Sequence, residues 1–385
     1  MKEIPSYQER WTDSWLDQAR MRTDPAADTV IEHVMAVYGA QKAREIFDIL
    51  IRNVDIPLEQ LPAETHAFFA QHQTLPAWAD RDQIALAEKV FLDHGPKFLV
   101  FLYYKSLPTL YACKNGAAVL THTGRLAIDR EGLSKFTRRI AETGQFLLDV
   151  MTKDGLSDGG KGVNAILKVR LIHAAIRHFV LLGEWDTAAK GKPINQEDMA
   201  IALMTFSVSL IDALPKFGLD LTEGEAAAFM HTWKTAGHIL GLESALLPDS
   251  LAEGRFLHDR ILSRQAGPSE EGRLLSQALI AFAQDAAPGK VLDPAPQILM
   301  RYLVGDKMAK TLDIEVRKGC LTWLLPRSLQ FIFSYTEKME DQQEPVRRMM
   351  ERVAAHLLEK MVGYFDEYKG RYFEIDPELR RHWKV

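Results

Sequence analysis

The sequence predicts an all-α protein built as one large helical domain. Apolar residues recur at steps of three and four almost everywhere along the 385 residues, which is the spacing of one helix face. Hardly any stretch shows the alternation that is typical of strands. With 47% hydrophobic residues and only 2 cysteines, a chain of this length buries a large core and needs no disulfide framework.

The predicted helices follow one another along the chain. The first, at 29–52, places its apolar residues on one stripe, formed by Val30, Val34, Val37, Ile46, Ile49 and Leu50. Nine further helices are predicted at about 82–104, 131–152, 163–184, 196–214, 222–240, 250–264, 270–285, 294–304 and 343–366.

Capping residues support two of these helix starts. Asn195 precedes the helix at 196–214, and Thr222 stands three residues before Glu225 in a capping-box arrangement. We interpret residues 1–27 as an N-terminal extension and residues 28–385 as the helical domain.

Charge and hydropathy exclude several classes of partner. The chain carries 47 basic and 52 acidic residues, a net charge of −5, so it presents no broad positive field for a nucleic acid. The N-terminus lacks the apolar stretch of a signal peptide, which predicts a cytoplasmic protein. The longest apolar run, Phe98–Tyr104, is too short for a transmembrane segment. Aromatic and methionine-rich helices permit a homodimer without requiring one.

The helix at 163–184 is apolar on most sides and is therefore expected at the centre of the core. Arg170, His173 and Arg177 form one ridge on it, and burying these groups is costly unless something pairs with them. Two interpretations are open. In the first, the arginines pair with acidic residues of neighbouring helices and the histidine donates to a backbone carbonyl. In the second, the histidine binds the iron of a haem and the arginines neutralise the haem propionates.

Other histidine pairs do not predict a metal site. His173 and His178 are five residues apart and point to different faces of a helix, so they do not share one ion. His231 and His238 share a face but have no third ligand at metalloprotease spacing. We interpret these two as packing or surface residues.

Two adjacent strings carry a resemblance to a known family. VRLIHAAIRH at 169–178, followed by GKPINQEDMAIALMTFS at 191–207, resembles the hallmark region of the rubber oxygenase (latex clearing protein) and MpaB-type oxygenase superfamily. That superfamily includes a fungal enzyme that cleaves a prenyl chain. Further matching fragments, in the same order along the chain, are VLTHTGRL at 119–126, RRIAETGQF at 138–146, HTWKTAGHILGL at 231–242 and PQILMRYLVGD at 296–306.

The resemblance implies a b-type haem in a helical core related to the globin arrangement. The position of the proximal iron ligand in the family matches His173, and Arg170 and Arg177 become candidates for contacts to the propionates or for support of the site. Rubber oxygenases carry an Arg-x-x-Lys-Thr element on the distal side. Here Arg139 and Thr143 match it, while Glu142 replaces the lysine, a change of ligand type and of charge.

Arg139 and Thr143 are four residues apart and face one way from a single helix. A guanidinium and a hydroxyl there would orient bound dioxygen by hydrogen bonding. The alternative is an arginine paired with Glu142 or a propionate, and a threonine bonded to its own helix. The apolar residues of Phe98–Tyr104, with Met204 and Phe206, are candidates to line a pocket, although core packing explains each singly.

The expected function is therefore that of a haem b-binding oxygenase. Its catalytic residues would be Arg139, Glu142 and Thr143. Dioxygen would be the co-substrate in the oxidation of a diffusible apolar substrate such as a lipid or terpenoid, with or without cleavage at a C=C bond. One competing hypothesis is a haem-binding sensor, carrier or peroxidase-like protein without oxygenase activity. Another is a haem-free helical scaffold.

Overall fold

The computed structural model describes residues 7–52, 61–122, 130–217, 219–286, 294–316 and 377–383. Within these ranges the only β feature is an isolated antiparallel bridge between Cys113 and Ala266. The predicted all-α class is confirmed. In chain order the helices are α1 Tyr7–Arg10, α2 Asp13–Ala19, α3 Pro25–Arg52, α4 Ala63–His72, α5 Arg81–Phe101, α6 Leu107–Ala112, α7 Lys114–His122, α8 Arg130–Met151, α9 Lys161–Leu181, α10 Thr187–Lys190, α11 Gln196–Phe206, α12 Val208–Ile211, α13 Glu223–Ile239, α14 Leu251–Gln265, α15 Glu270–Ala286, α16 Ala295–Val304, α17 Asp306–Thr311 and α18 Pro377–Trp383.

The periodicity located the long helices to within a few residues. Three of them are less regular than expected. Helix α3 is interrupted at Gly39, whose φ of 77° and ψ of 168° are not helical. The helix predicted at 82–104 passes from α5 into a π-helical turn at Leu102–Ser106, and the one predicted at 196–214 breaks at Ser207, whose φ of −115° and ψ of −81° are not helical. The helix predicted at 343–366 lies outside the described residues.

Both predicted caps are confirmed. The Asn195 side chain accepts a hydrogen bond from the backbone N–H of Asp198 at 3.0 Å and begins α11. Thr222 and Glu225 form the complete reciprocal capping box at the start of α13. These bonds satisfy backbone donors that have no partner within a helix, which fixes where each helix begins.

Helix α9 occupies the centre of the core, as its apolar sequence predicts. Its residues Val163, Ile166, Leu167 and Leu171 are fully buried. It packs against α3, α8, α13 and α4, so apolar neighbours surround it on several sides. Polar side chains on this helix must therefore find partners inside the protein.

The N-terminal segment that we interpret as an extension is packed against this core. Trp11, Leu16 and Ala19 are fully buried, and the Trp11 indole N–H donates to the backbone carbonyl of Ala245 at 2.8 Å. The side chain of Gln196 in α11 donates to the carbonyl of Thr23 at 2.8 Å. Residues 11–23 thus close over α11 and contribute to the core.

One segment in the described ranges is long and apolar enough to cross a membrane by length and composition, namely Gln196–Lys216, with a mean hydropathy of 1.4. It is longer than the Phe98–Tyr104 run considered above. It comprises α11, α12 and the turn after them, and 72% of its apolar window is buried inside the protein. Core helices of soluble proteins have the same properties, so this feature is weak evidence for a membrane span.

Candidate active site

A cavity of about 340 Å³ lies between α6, α7, α8, α9, α11 and α13. Its volume is within the range of small-molecule sites, which are mostly apolar with a few convergent polar groups. The apolar part of its wall is formed by Leu107, Leu110, Val119, Leu120, Ile140, Phe146, Val169, Ile172, Ile176, Met199, Ile201, Leu203, Phe206, Trp233 and Leu240.

His173 lines this cavity from the middle of α9. The same helix face contributes Ala165, Lys168, Val169 and Ile172 to the wall. The surroundings of His173 on its own helix are therefore mainly apolar. A neutral imidazole in such a place is a typical metal ligand.

The three candidates in α8 line the same cavity. Arg139, Glu142 and Thr143 occupy one face of α8, which packs directly beside α9 after the short connection at 152–160. The two sets of residues singled out from the sequence, one on each helix, therefore meet in one place. Their meeting is a tertiary fact, since some thirty residues separate Arg139 from His173.

Burial dominates the electrostatics of Arg139. Removal from water lowers the pKa of its guanidinium, and the nearby Tyr111 and Glu142 oppose that change. Burial also raises the pKa of the Tyr111 hydroxyl, which lines the cavity as well. The cavity thus contains a cationic group that is poorly hydrated and favours a negatively charged or electron-rich ligand group.

The Thr143 hydroxyl donates to the backbone carbonyl of Arg139 at 2.9 Å. This bond within its own helix is the alternative arrangement considered for Thr143 from the sequence. The hydroxyl proton is used by the main chain, so toward the cavity Thr143 offers the acceptor lone pairs of its oxygen. The role of Thr143 in orienting bound dioxygen stays a prediction.

Arg170 and Arg177 do not line the cavity. Arg170 donates to both carboxylate oxygens of Asp24, at 2.5 and 2.9 Å, and to the carbonyl of Ile239 at 3.0 Å. Arg177 donates to Asp28 at 2.7 Å. The structure therefore shows the paired arrangement with acidic residues of a neighbouring helix. Direct contacts from these two arginines to haem propionates do not agree with this arrangement, because their guanidinium groups already bind the carboxylates of Asp24 and Asp28.

The other predicted lining residues divide between the cavity and the core. Phe206 lines the cavity beside Trp233, at 5.1 Å between ring centroids. Met204 and the Phe98–Tyr104 run are absent from the wall, and Phe98 instead stacks on Phe229 at 4.9 Å. Core packing is therefore their role in the structure.

His231 and His238 meet a tryptophan. Both rings make edge-on contacts to Trp78, at 5.8 and 5.6 Å between ring centroids. The side chain of Trp78 is 41% exposed, so this cluster lies at the surface. The interpretation as packing or surface residues agrees with this arrangement.

Several polar wall residues were missed from the sequence. They are Gln145, Asp149, Lys168, Asp198 and Cys113. Gln145 donates to Asp149 at 2.7 Å along α8. Burial raises the pKa of Asp198 to about 6, against the lowering effect of Arg20, and it raises the pKa of the Cys113 thiol. Asp198 lies within the string quoted at 191–207, but the only structural feature predicted there was the helix cap at Asn195.

Most of the cavity wall lies within a chain segment that matches a known family. Residues 114–355 match the family model described as ER-bound oxygenase mpaB/B'/rubber oxygenase, catalytic domain, which is more than half of the chain. This chain belongs to the mpaB/rubber oxygenase family. The matched segment contains α8, α9 and α11, which carry most of the polar wall residues of the cavity.

One relative and one solved structure illustrate the similarity. Rubber oxygenase from Streptomyces sp. (strain K30) is 22% identical over 292 residues, which cover 74% of this chain and 69% of that protein. The solved structure of latex clearing protein in the closed state has a TM-score of 0.73 and 18% identity, covering 89% of this chain and 91% of that one. The structural likeness establishes a shared fold.

The donor set of the cavity fits a haem better than a bare metal ion. Within the described part of the chain, no group of three or more His, Cys, Asp or Glu side chains is placed to hold a metal. A haem iron needs a single axial side chain from the protein, and His173 supplies an imidazole to an apolar cavity. Arg139 adds a buried cation in the same wall. These residues fit the group.

Proposed function

We propose that this protein is a haem b-dependent oxygenase that uses dioxygen to oxidise a diffusible apolar substrate, such as a lipid or terpenoid, at a C=C bond. The observation that carries the proposal is that His173 lines the same cavity as Arg139, Glu142 and Thr143. The membership of an oxygenase family supports the reaction class. The size of the cavity supports a small-molecule substrate.

His173 would hold the iron, and the bound haem would supply the activation of dioxygen. The apolar wall would exclude water and hold the hydrocarbon part of the substrate by burial of its surface. Phe206 and Trp233, in contact with each other, give this wall two rigid aromatic surfaces.

Arg139 takes over the charge role that was expected of Arg170 and Arg177. Since these two are engaged by Asp24 and Asp28, Arg139 is the guanidinium of the three that faces the cavity. A buried cation there would balance the negative charge of a propionate or of an electron-rich ligand group. Thr143 would accept a hydrogen bond from a protonated ligand atom or from water.

Glu142 stands at the position of the distal lysine in the rubber oxygenases that the motif resembles. A carboxylate brings the opposite charge to the cavity and raises the pKa of the Arg139 guanidinium that it neighbours. This departure favours a second candidate, a haem-binding sensor or carrier without turnover. Dioxygen consumption with and without substrate distinguishes the two.

The deciding experiment is the absorption spectrum of the purified protein, with a pyridine haemochrome assay, for the wild type, His173→Ala and His178→Ala. His178 is a matched control because it lies on the same helix, is half-buried and does not line the cavity. We expect about one haem per chain in the wild type and in His178→Ala, and loss of haem with intact helicity in His173→Ala.

A protein that stays colourless after expression with haem supply and titration with hemin would contradict the proposal. Equal haem content in both variants would contradict the assignment of His173. If haem is bound, dioxygen uptake is measured with squalene as a diffusible polyene. Haem binding without substrate-dependent uptake would support the sensor or carrier instead.

A further inference from the structure

Asp198 brings an ionisable group to an apolar part of the cavity wall. It lies in the first turn of α11, and its neighbours in the wall from the same stretch of chain are Ile194, Met199 and Ile201. Its side chain is 12% exposed. A hydrocarbon substrate alone would gain nothing from a carboxylate at this position, because the charged form is costly to bury.

The carboxylate of Asp198 is held firmly but is not saturated with hydrogen bonds. One oxygen accepts from the side-chain N–H of Asn195 at 2.8 Å, and the other accepts from Arg20 at 3.4 Å. A carboxylate has about four lone-pair positions for hydrogen bonds. The backbone N–H of Asn195 also donates to this carboxylate. About one position is left to accept from a donor in the cavity.

Arg20 neutralises Asp198 only in part, because a second carboxylate competes for its guanidinium. Its guanidinium is closer to Glu197, at 3.0 Å, and it also donates to the carbonyl of Lys190. Glu197 is fully buried and is bonded in addition by Arg264, at 3.0 Å. The Glu197 carboxylate and the two arginines that bind it do not line the cavity. Asp198 is the residue of this ion-pair network that does.

The Asp198 side chain takes part in the cap, since its carboxylate accepts from the side chain and from the backbone N–H of Asn195, while the Asp198 N–H donates to the Asn195 side chain. These bonds need an acceptor oxygen and not a negative charge, so the cap by itself does not require an ionisable group at 198. Burial favours the protonated carboxyl and makes the ionised form costly. A ligand that donates a hydrogen bond, or carries a positive charge, would remove part of that cost.

We propose that Asp198 is a polar subsite that binds the hydrogen-bond-donating end, a hydroxyl or ammonium group, of an otherwise apolar substrate. The inference rests on the proposed function for the identity of the cavity as the substrate site, and it narrows the substrate class. It assigns the substrate two parts, namely an apolar chain held by the helix walls and one donor group at the α11 side. Plain hydrocarbons and ethers of the same length lack the donor.

The test measures binding of geranylamine, geraniol and geranyl methyl ether to the purified full chain by calorimetry. These probes share one apolar chain and differ in the donor at its end. We expect the wild type to prefer the amine and the alcohol to the ether. Asp198→Asn is expected to weaken the binding of geranylamine about tenfold or more, as for the loss of a hydrogen bond to a charged group. The affinity for the ether should change by less than about twofold.

Asp158→Asn is the matched control, since Asp158 is a half-exposed carboxylate that does not line the cavity. It is expected to leave the preference for geranylamine unchanged. A wild type that binds all three probes equally, or an amine preference that survives in Asp198→Asn, would overturn the proposal. Should Asp198→Asn fail to fold by circular dichroism, Asp198→Ser serves as the second variant, and the comparison of alcohol with ether in the wild type still decides.

Haem content is measured on the same samples, which separates the two proposals. A donor preference that depends on Asp198 in a protein without haem would leave the subsite standing and remove the oxygenase. Haem binding and substrate-dependent dioxygen uptake without any preference for a donor group would support the oxygenase and refute the Asp198 subsite.

Discussion

Arg170 binds both carboxylate oxygens of Asp24, and this two-point ion pair joins α9 to the residue that precedes α3. The carbonyl of Ile239 completes the partners of the guanidinium. Gly241 lies against the pair with a φ of +91°, and a Cβ there would come within 2.5 Å of the Asp24 carboxylate. Only glycine adopts this backbone freely and leaves space for the pair.

Removal of Asp24 should destabilise the protein strongly. Both partners of the pair are buried, with side-chain exposures of 8% for Arg170 and 4% for Asp24. Asp24→Ala leaves an uncompensated buried cation, so we expect a loss of about 3–5 kcal/mol in the free energy of unfolding. Urea denaturation measures it. The exposed pair of Arg273 and Glu270 is the control, and Glu270→Ala should lower the free energy of unfolding far less than Asp24→Ala. Equal effects of the two substitutions would refute a structural role for the Arg170 pair.

Substitution of Glu142 by lysine tests the departure from the family motif. In the haem-loaded protein, Glu142→Lys places an amine where the rubber oxygenases have one, and a nitrogen ligand moves ferric haem toward the low-spin state. We expect a change in the Soret band and a larger low-spin fraction by electron paramagnetic resonance. Glu142→Gln, which removes the charge without adding an amine, should leave both nearly unchanged. Identical spectra for the lysine variant and the wild type would show that residue 142 does not reach the iron.

The pH dependence of stability should report the titration of Asp198. Its pKa in the folded protein is about 6, above the ordinary value of 3.8, chiefly because of burial. The folded state therefore binds this proton more tightly than the unfolded state. The resulting stabilisation is complete below about pH 4 and is lost as the pH rises through 6.

The stability of Asp198→Asn is expected not to fall as the pH rises through 6. At pH 7 its free energy of unfolding should exceed that of the wild type by about 1–3 kcal/mol. Thermal and urea unfolding of both proteins at pH 4.5, 6 and 7.5 measure the difference. Other groups titrate in the same range, so the difference between the two proteins is the informative quantity. Parallel stability curves would mean that Asp198 ionises normally.

Much of the fold was predictable because helical periodicity is a local property. The stripe at 29–52 corresponds to α3, and the caps at Asn195 and Thr222 lie where the sequence placed them. Short helices such as α4, α6 and α7 were missed, because one to three turns carry too few apolar positions to define a period. The break at Ser207 depends on packing and has no equally clear sequence signal.

The candidate site was predicted in part. His173 and the Arg139 motif were visible as residue types at helical spacing, and the resemblance to the family is what predicted a haem site for them. The directions of Arg170 and Arg177 were not, because residues three and four apart share a ridge yet differ by about 40–60° around the helix axis. Here that difference turns His173 to the cavity and both arginines to α3 and the residue before it.

The sequence by itself determined the helices, their apolar faces and the small set of residues able to hold a haem. Only the tertiary structure decided which of them share one cavity. Asp24 and Arg170 are 146 positions apart, and Arg20 and Glu197 are 177 apart. Such pairings depend on how helices pack, whereas periodicity records only the 3.6 residues of one turn. For the same reason Asp198 became a wall residue only once α11 was packed against α6 and α13.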